Sequence, residues 1–192
     1  MAEVKLKRKI TLRRKEEEAA FTFSGKLKVN LYWTSDTDLD LCLFFRKKDG
    51  EPGGVFSEAY RQKKSDLGSL DKFPFIKHQG DKTTLGPNGE AQEEIWVAKL
   101  DDIDEAFVCI VNYGAAIEGE DVTYAQEGGR IEIKSDSGDY LEVLADSADE
   151  GHVYCVCSIK NKGGEFALKN ESRVMSLGEA FDQIPGFALI CE

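Results

Sequence analysis

The stretch K-L-K-V-N-L-Y-W-T-S-D-T-D-L-D-L-C-L-F-F, Lys26 to Phe45, decides how this chain is read. From Lys26 to Trp33 apolar and polar residues alternate, the period of a strand with one buried face. Leu39 to Phe45 is mostly apolar and reads as a more deeply buried strand. Asp36, Asp38 and Asp40 sit at every second position at its mouth. On a strand Asp38 and Asp40 share a face, opposite Leu39, Leu41 and Leu43. Two carboxylates held together repel, so they need water, a cation or backbone N–H groups. The three aspartates match the first ligand positions of an EF-hand loop, but Leu41 stands where that loop needs glycine and Lys47 where it needs glutamate.

Strand signals continue in both directions. Val4–Leu12 alternates, and A-F-T-F-S follows from Ala20. Downstream, Glu94–Leu100, Ala106–Tyr113, Arg130–Ser135, Tyr140–Ala145 and His152–Lys160 read as strands, with turns at Ser135–Asp139 and Asp146–Gly151. G-G-E-F-A-L-K, from Gly163, closes another hairpin. Lys47–Asp66 reads as a charged, Gly-rich loop, Asp71–Glu94 as a long structured loop, and Gly114–Tyr124 as a compact acidic loop. One helix is expected, over Ser176–Ile184, with Ser176 and Glu179 at capping-box spacing and Pro185-Gly186 as its stop. About nine to ten short strands and a late helix predict a mainly β chain. The expected fold is a two-sheet antiparallel β-sandwich with a short C-terminal helix, a single domain over residues 1–192.

The chain carries 36 acidic and 25 basic residues, a net charge of −11. That balance opposes nucleic-acid binding, which needs a basic footprint. The first fifteen residues are the exception, with Lys5, Lys7, Arg8, Lys9, Arg13, Arg14 and Lys15 against Glu3. They fit a charged edge strand, or an arm for an anionic partner or lipid surface. No apolar run reaches a membrane span and the N-terminus lacks a signal-peptide core, so a cytoplasmic location is expected. Five cysteines make a poor disulfide framework, and four of them lie in apolar strand-like runs as small buried hydrophobes. Cys155 and Cys157, two apart, are expected to share a strand face, with no second pair at zinc-finger spacing.

No nucleophile elbow, Walker loop or dinucleotide fingerprint is present. His78 and His152 stand in no recognisable pairing with a nucleophile, so no enzymatic activity is expected. An enzyme would instead show a deep apolar pocket holding one of these histidines beside a carboxylate.

The order V-N-L-Y-W, L-D-L-C-L-F-F, D-K-F-P-F, H-Q-G-D-K-T-T-L-G, Q-E-E-I-W-V-A-K-L, together with the run from His152 to Phe181, resembles the TerD family of tellurium-resistance and stress-response proteins. The resemblance implies a calcium-binding β-sandwich in bacterial cytoplasm. It also implies protein partners in a stress-response complex, peripheral to a membrane-associated one. The family's ligand steps fall on Asp71-Lys72-Phe73, Gly80-Asp81-Lys82 and Gln92-Glu93. The implied metal residues are therefore Asp71, Phe73, Asp81 and Glu93. Lys72, Lys82 and Gln92 replace expected oxygen ligands, and the family's later Gly-Gln-Asn-Phe loop is absent. A lysine cannot ligate a cation, but its ammonium can take one's place among carboxylates. The expectation is one weak calcium site or none; the alternative is a metal-independent protein-interaction scaffold.

Overall fold

The computed structural model describes residues 9–58, 65–80 and 85–191. Among them run thirteen strands: β1 (Lys9–Leu12), β2 (Glu18–Phe21), β3 (Leu27–Trp33), β4 (Asp40–Lys47), β5 (Pro52–Phe56), β6 (Gly68–Ser69), β7 (Ile76–His78), β8 (Ala91–Val97), β9 (Ile103–Val111), β10 (Gly129–Ser135), β11 (Tyr140–Ala145), β12 (Val153–Asn161) and β13 (Phe166–Met175). A seven-stranded sheet has the order β1-β11-β10-β3-β8-β7-β6, and a six-stranded sheet the order β2-β13-β12-β9-β4-β5. All pairings are antiparallel except β1 with β11. The mainly β sandwich with a short C-terminal helix expected from the sequence is the observed architecture. No helix among the described residues is long and apolar enough to cross a membrane.

Alternation builds the core between the sheets. Leu27, Val29, Leu31 and Trp33 of β3 point inward, as do Ile95 and Val97 of β8, against Leu41, Leu43, Val108 and Ile110 of the other sheet. The six-stranded sheet is also covered on its outer face. There α2 (Leu177–Gln183) and a 3₁₀ helix (Phe187–Ile190) lay Ala180, Ile184, Phe187 and Ile190 over Cys42, Phe44, Phe107 and Cys109. Two covered faces explain why β4 carries a nearly continuous apolar run. Ser176 and Glu179 form the reciprocal capping box that the sequence predicts. Gly186, at φ 88°, then turns the chain down onto β5; a Cβ there would lie 2.1 Å from the Gly53 carbonyl oxygen.

Several local expectations are corrected. Lys47–Asp66 is not all loop, because Pro52–Phe56 forms the edge strand β5, with proline at its first position where a missing N–H is tolerated. The stretch after β9 opens with a short helix, α1 (Tyr113–Glu118), capped by the Asn112 side chain and closed by Gly119 in the left-handed conformation. Cys155 and Cys157 do not share a face. A bulge shifts the register between them against both neighbouring strands, sending Cys155 to the outer cluster and Cys157 to the inner core. Within the basic segment Lys9–Leu12 forms β1, an edge strand, Arg13, Arg14 and Lys15 follow it, and residues 1–8 lie outside the described residues.

Candidate metal centre

The site is built from the start of β4. The β5 ladder ends with Phe56 opposite Cys42, so Asp40 and Leu41 extend beyond it. The Leu41 peptide is held from the other sheet instead. Glu93 Oε2 accepts the Leu41 N–H at 2.7 Å, and His78 Nε2 lies 3.1 Å from the Leu41 carbonyl oxygen. His78 Nδ1 accepts the Gly80 N–H at 3.0 Å. The ring proton therefore sits on Nε2 and is donated to Leu41. Both side chains are buried and stand 3.5 Å apart. They pin the first turnless residues of β4 across the sandwich, satisfying a backbone that its own sheet has left open.

That pin places Asp40, which is buried on the outer face. Asp38, two residues back, is exposed, and Glu58, two residues past Phe56, is half-buried. Strand alternation puts Asp38 and Asp40 on one side, and the Cys42–Phe56 register carries Glu58 alongside Asp40. One carboxylate oxygen from each of Asp38, Asp40 and Glu58 lies within 4.8 Å of the other two. The Tyr113 hydroxyl closes the inner side, donating to the Glu58 carbonyl oxygen at 2.8 Å. Burial, then the nearby Cys42 and Asp40, pushes Tyr113 far above its ordinary value. Burial, then the charge of Asp40, likewise pushes the Cys42 thiol up. Both groups stay neutral, and the donors that converge are carboxylate oxygens, the set that hard cations take.

Of the residues implied by the family resemblance, the described ones, Asp71, Phe73 and Glu93, are not gathered in this way. The Phe75 carbonyl accepts the Ala98 N–H just past one end of β8, while the Gln79 N–H donates to the Glu94 carbonyl at the middle of the strand. The turn carrying Asp71 and Phe73 is thus about 16 Å along the strand from Glu93, at roughly 3.3 Å per residue. Asp71 and Lys72 are exposed there, and Phe73 packs edge-on against Phe45 beneath the Lys47 ammonium. Glu93 does lie at the rim, but as the buried acceptor for Leu41. Asp81 and Lys82 lie outside the described residues. Gln92 is turned to the open sheet face, donating to Asn30 and to the Tyr32 hydroxyl.

Glu58 is the member of the cluster that sequence reasoning missed, because it follows a strand that was read as loop. The spacing Phe56-x-Glu58 beside Asp40-x-Cys42 is the available signal, and it needs the pairing of β4 with β5 to be visible. His78 does stand beside a carboxylate, yet it does not line the groove of about 670 Å³ bounded by Tyr32, Gln79, Leu85, Gln92 and Glu93. His152 lies apart, with Nε2 2.6 Å from the Glu120 carbonyl oxygen. Scans of family models, of curated proteins and of solved structures each find no match to this chain.

Proposed function

We propose that this chain is a non-catalytic binding module of the bacterial stress response, in which a weak calcium site at one rim orders the surface offered to a protein partner. The convergence of Asp38, Asp40 and Glu58 carries the cation reading. Calcium takes six to eight oxygens, so three carboxylates leave water or carbonyls to complete the shell. An incomplete protein shell with an exposed member corresponds to a dissociation constant on the order of 10⁻⁴ M, the weak end of protein calcium sites. The resemblance of the motif order to tellurium-resistance proteins supplies the stress-response context, a cytoplasmic setting and a partner complex peripheral to a membrane. The ligands proposed here differ from those the resemblance implies: Glu93 acts behind the site, by holding Leu41, and the Asp71 turn stands away from it.

A second reading is a scaffold that needs no metal. The Leu41 pin favours it, since that pin orders the start of β4 with protein groups alone. Calorimetric titration of metal-stripped protein separates the two. The calcium reading expects one saturable site near 10⁻⁴ M and a melting point that rises with calcium, as binding to the folded state requires. No heat and no shift at millimolar calcium leaves the scaffold reading.

A further inference from the structure

A row of thiols crosses the outer face of the six-stranded sheet. Cys42 of β4 stands opposite Cys109 of β9, Cys109 opposite Cys155 of β12, and Cys155 opposite Arg173 of β13. Directly opposed residues of antiparallel strands share a face, with Cα atoms about 4.5–5.5 Å apart. All three cysteines are fully buried, in one cluster with Met175, Ile184 and Phe187. The row is graded in charge. Asp40 lies two residues from Cys42 on the same face of β4. Burial, then the adjoining Cys155 thiol, pushes the Cys109 thiol up. At the far end Arg173 reaches Gln183 of α2 at 3.3 Å and Glu171 at 3.4 Å.

We infer that Cys109 and Cys155 form a binding site for a soft cation of the Cu(I) class, held as a two-coordinate bis-thiolate beneath the C-terminal segment. Thiolates select soft ions over the hard ions that carboxylates take. Metal–sulfur bonds of about 2.3 Å make a linear S–metal–S unit about 4.6 Å long, a span that side chains on opposed positions with Cα atoms about 4.5–5.5 Å apart can reach. Cys42 lies one strand further, about 10 Å from Cys155 between Cα atoms, so the row is a line and not the tetrahedron that zinc needs. On binding, two S–H bonds break and two Cu–S bonds form. Two protons leave to solvent, and no oxidation state changes. The product carries one negative charge, and the nearest guanidinium along the row, Arg173, shares its own charge with Glu171. This site is separate from the carboxylate rim and does not depend on it.

Cys191 is exposed and would take the same ion, so the test uses C191S protein. Under anaerobic, reducing conditions this protein competes with bicinchoninate for Cu(I). The expected result is uptake of one equivalent by the folded chain, with a rise in melting temperature. C109S and C155S abolish it, C157S retains it, and R173Q weakens it by about tenfold, the usual effect of losing an outer-shell partner. X-ray absorption of the loaded C191S protein decides the matter even where a serine variant fails to fold: two sulfur ligands are expected. No uptake, a falling melting temperature, equal loss in C157S, or a shell with a third sulfur, nitrogen or oxygen would overturn the proposal.

Discussion

Replacing Glu93 by leucine removes the acceptor that holds the Leu41 N–H from across the sandwich. An amide left unpaired in the interior costs about 1–3 kcal/mol. The loss is partly offset, because leucine also removes the cost of keeping a carboxylate out of water. The net destabilisation is about 2 kcal/mol. In a chain of 150–250 residues each kcal/mol moves the melting point by roughly 2–4 °C, so the shift is about 4–8 °C. Glu93→Gln keeps an oxygen in place and trades a charge-assisted bond for a neutral one. Its cost is about 1 kcal/mol, or roughly 2–4 °C. Both variants are melted by circular dichroism with chelator present, so that no cation contributes. The order wild type, E93Q, E93L from most to least stable is the expected outcome. An E93L melting point within about 1 °C of wild type would show that Glu93 does not carry the Leu41 amide. Equal losses in the two variants would show that charge, and not the acceptor oxygen, is what matters.

Further outcomes follow from the same geometry. Asp40→Asn weakens calcium binding at least about tenfold by calorimetry while leaving the chelator-treated melting point within a few degrees, because it alters the cation shell and not the Leu41 pin. Gly186→Val places a side chain where the Gly53 backbone stands and at a φ that β-branched residues avoid; it should cost more than about 2 kcal/mol in urea unfolding and expose the outer thiol row to alkylation. Asp104 is held below its ordinary value by hydrogen bonds from Lys160 and then Arg46. A carboxyl lowered in the folded state adds stability above its unfolded value, and loses it as pH falls through the folded one. The three side chains are half-exposed, so Asp104→Asn should cost under about 1 kcal/mol at neutral pH, a difference that fades as pH falls below the ordinary aspartate range.

How much was legible in the sequence can be judged from particular residues. The alternation in K-L-K-V-N-L-Y-W and the apolar run of L-D-L-C-L-F-F led directly to β3 and β4, since burial on one or two faces writes its period into the chain. Ser176 and Glu179 marked the C-terminal helix because a capping box is a local contact. β5 was missed because Gly53 and Gly54 carry no strand signal, and its ladder is supplied by β4 from outside the segment. The faces of Cys155 and Cys157 were misread because a bulge inserts one residue that no period-two count can see. The alternation of Asp38 and Asp40 stands out in the sequence but reads there as support for a site or an anchor for loop amides and not as its ligands, and Glu58 joins them only through the register of β4 with β5. The family resemblance groups Asp71 with Glu93, whereas the β7–β8 pairing sets the Asp71 turn beyond the Val97 end of β8, away from Glu93.

Anomalous diffraction from crystals of the full chain soaked in terbium, a hard calcium surrogate, tests the central claim most directly. A single peak enclosed by the carboxylates of Asp38, Asp40 and Glu58, displaced by excess calcium and missing in D40N, is the predicted result. A peak at the Asp71 turn instead, or no ordered ion at the Asp38 rim at saturating metal, would contradict it.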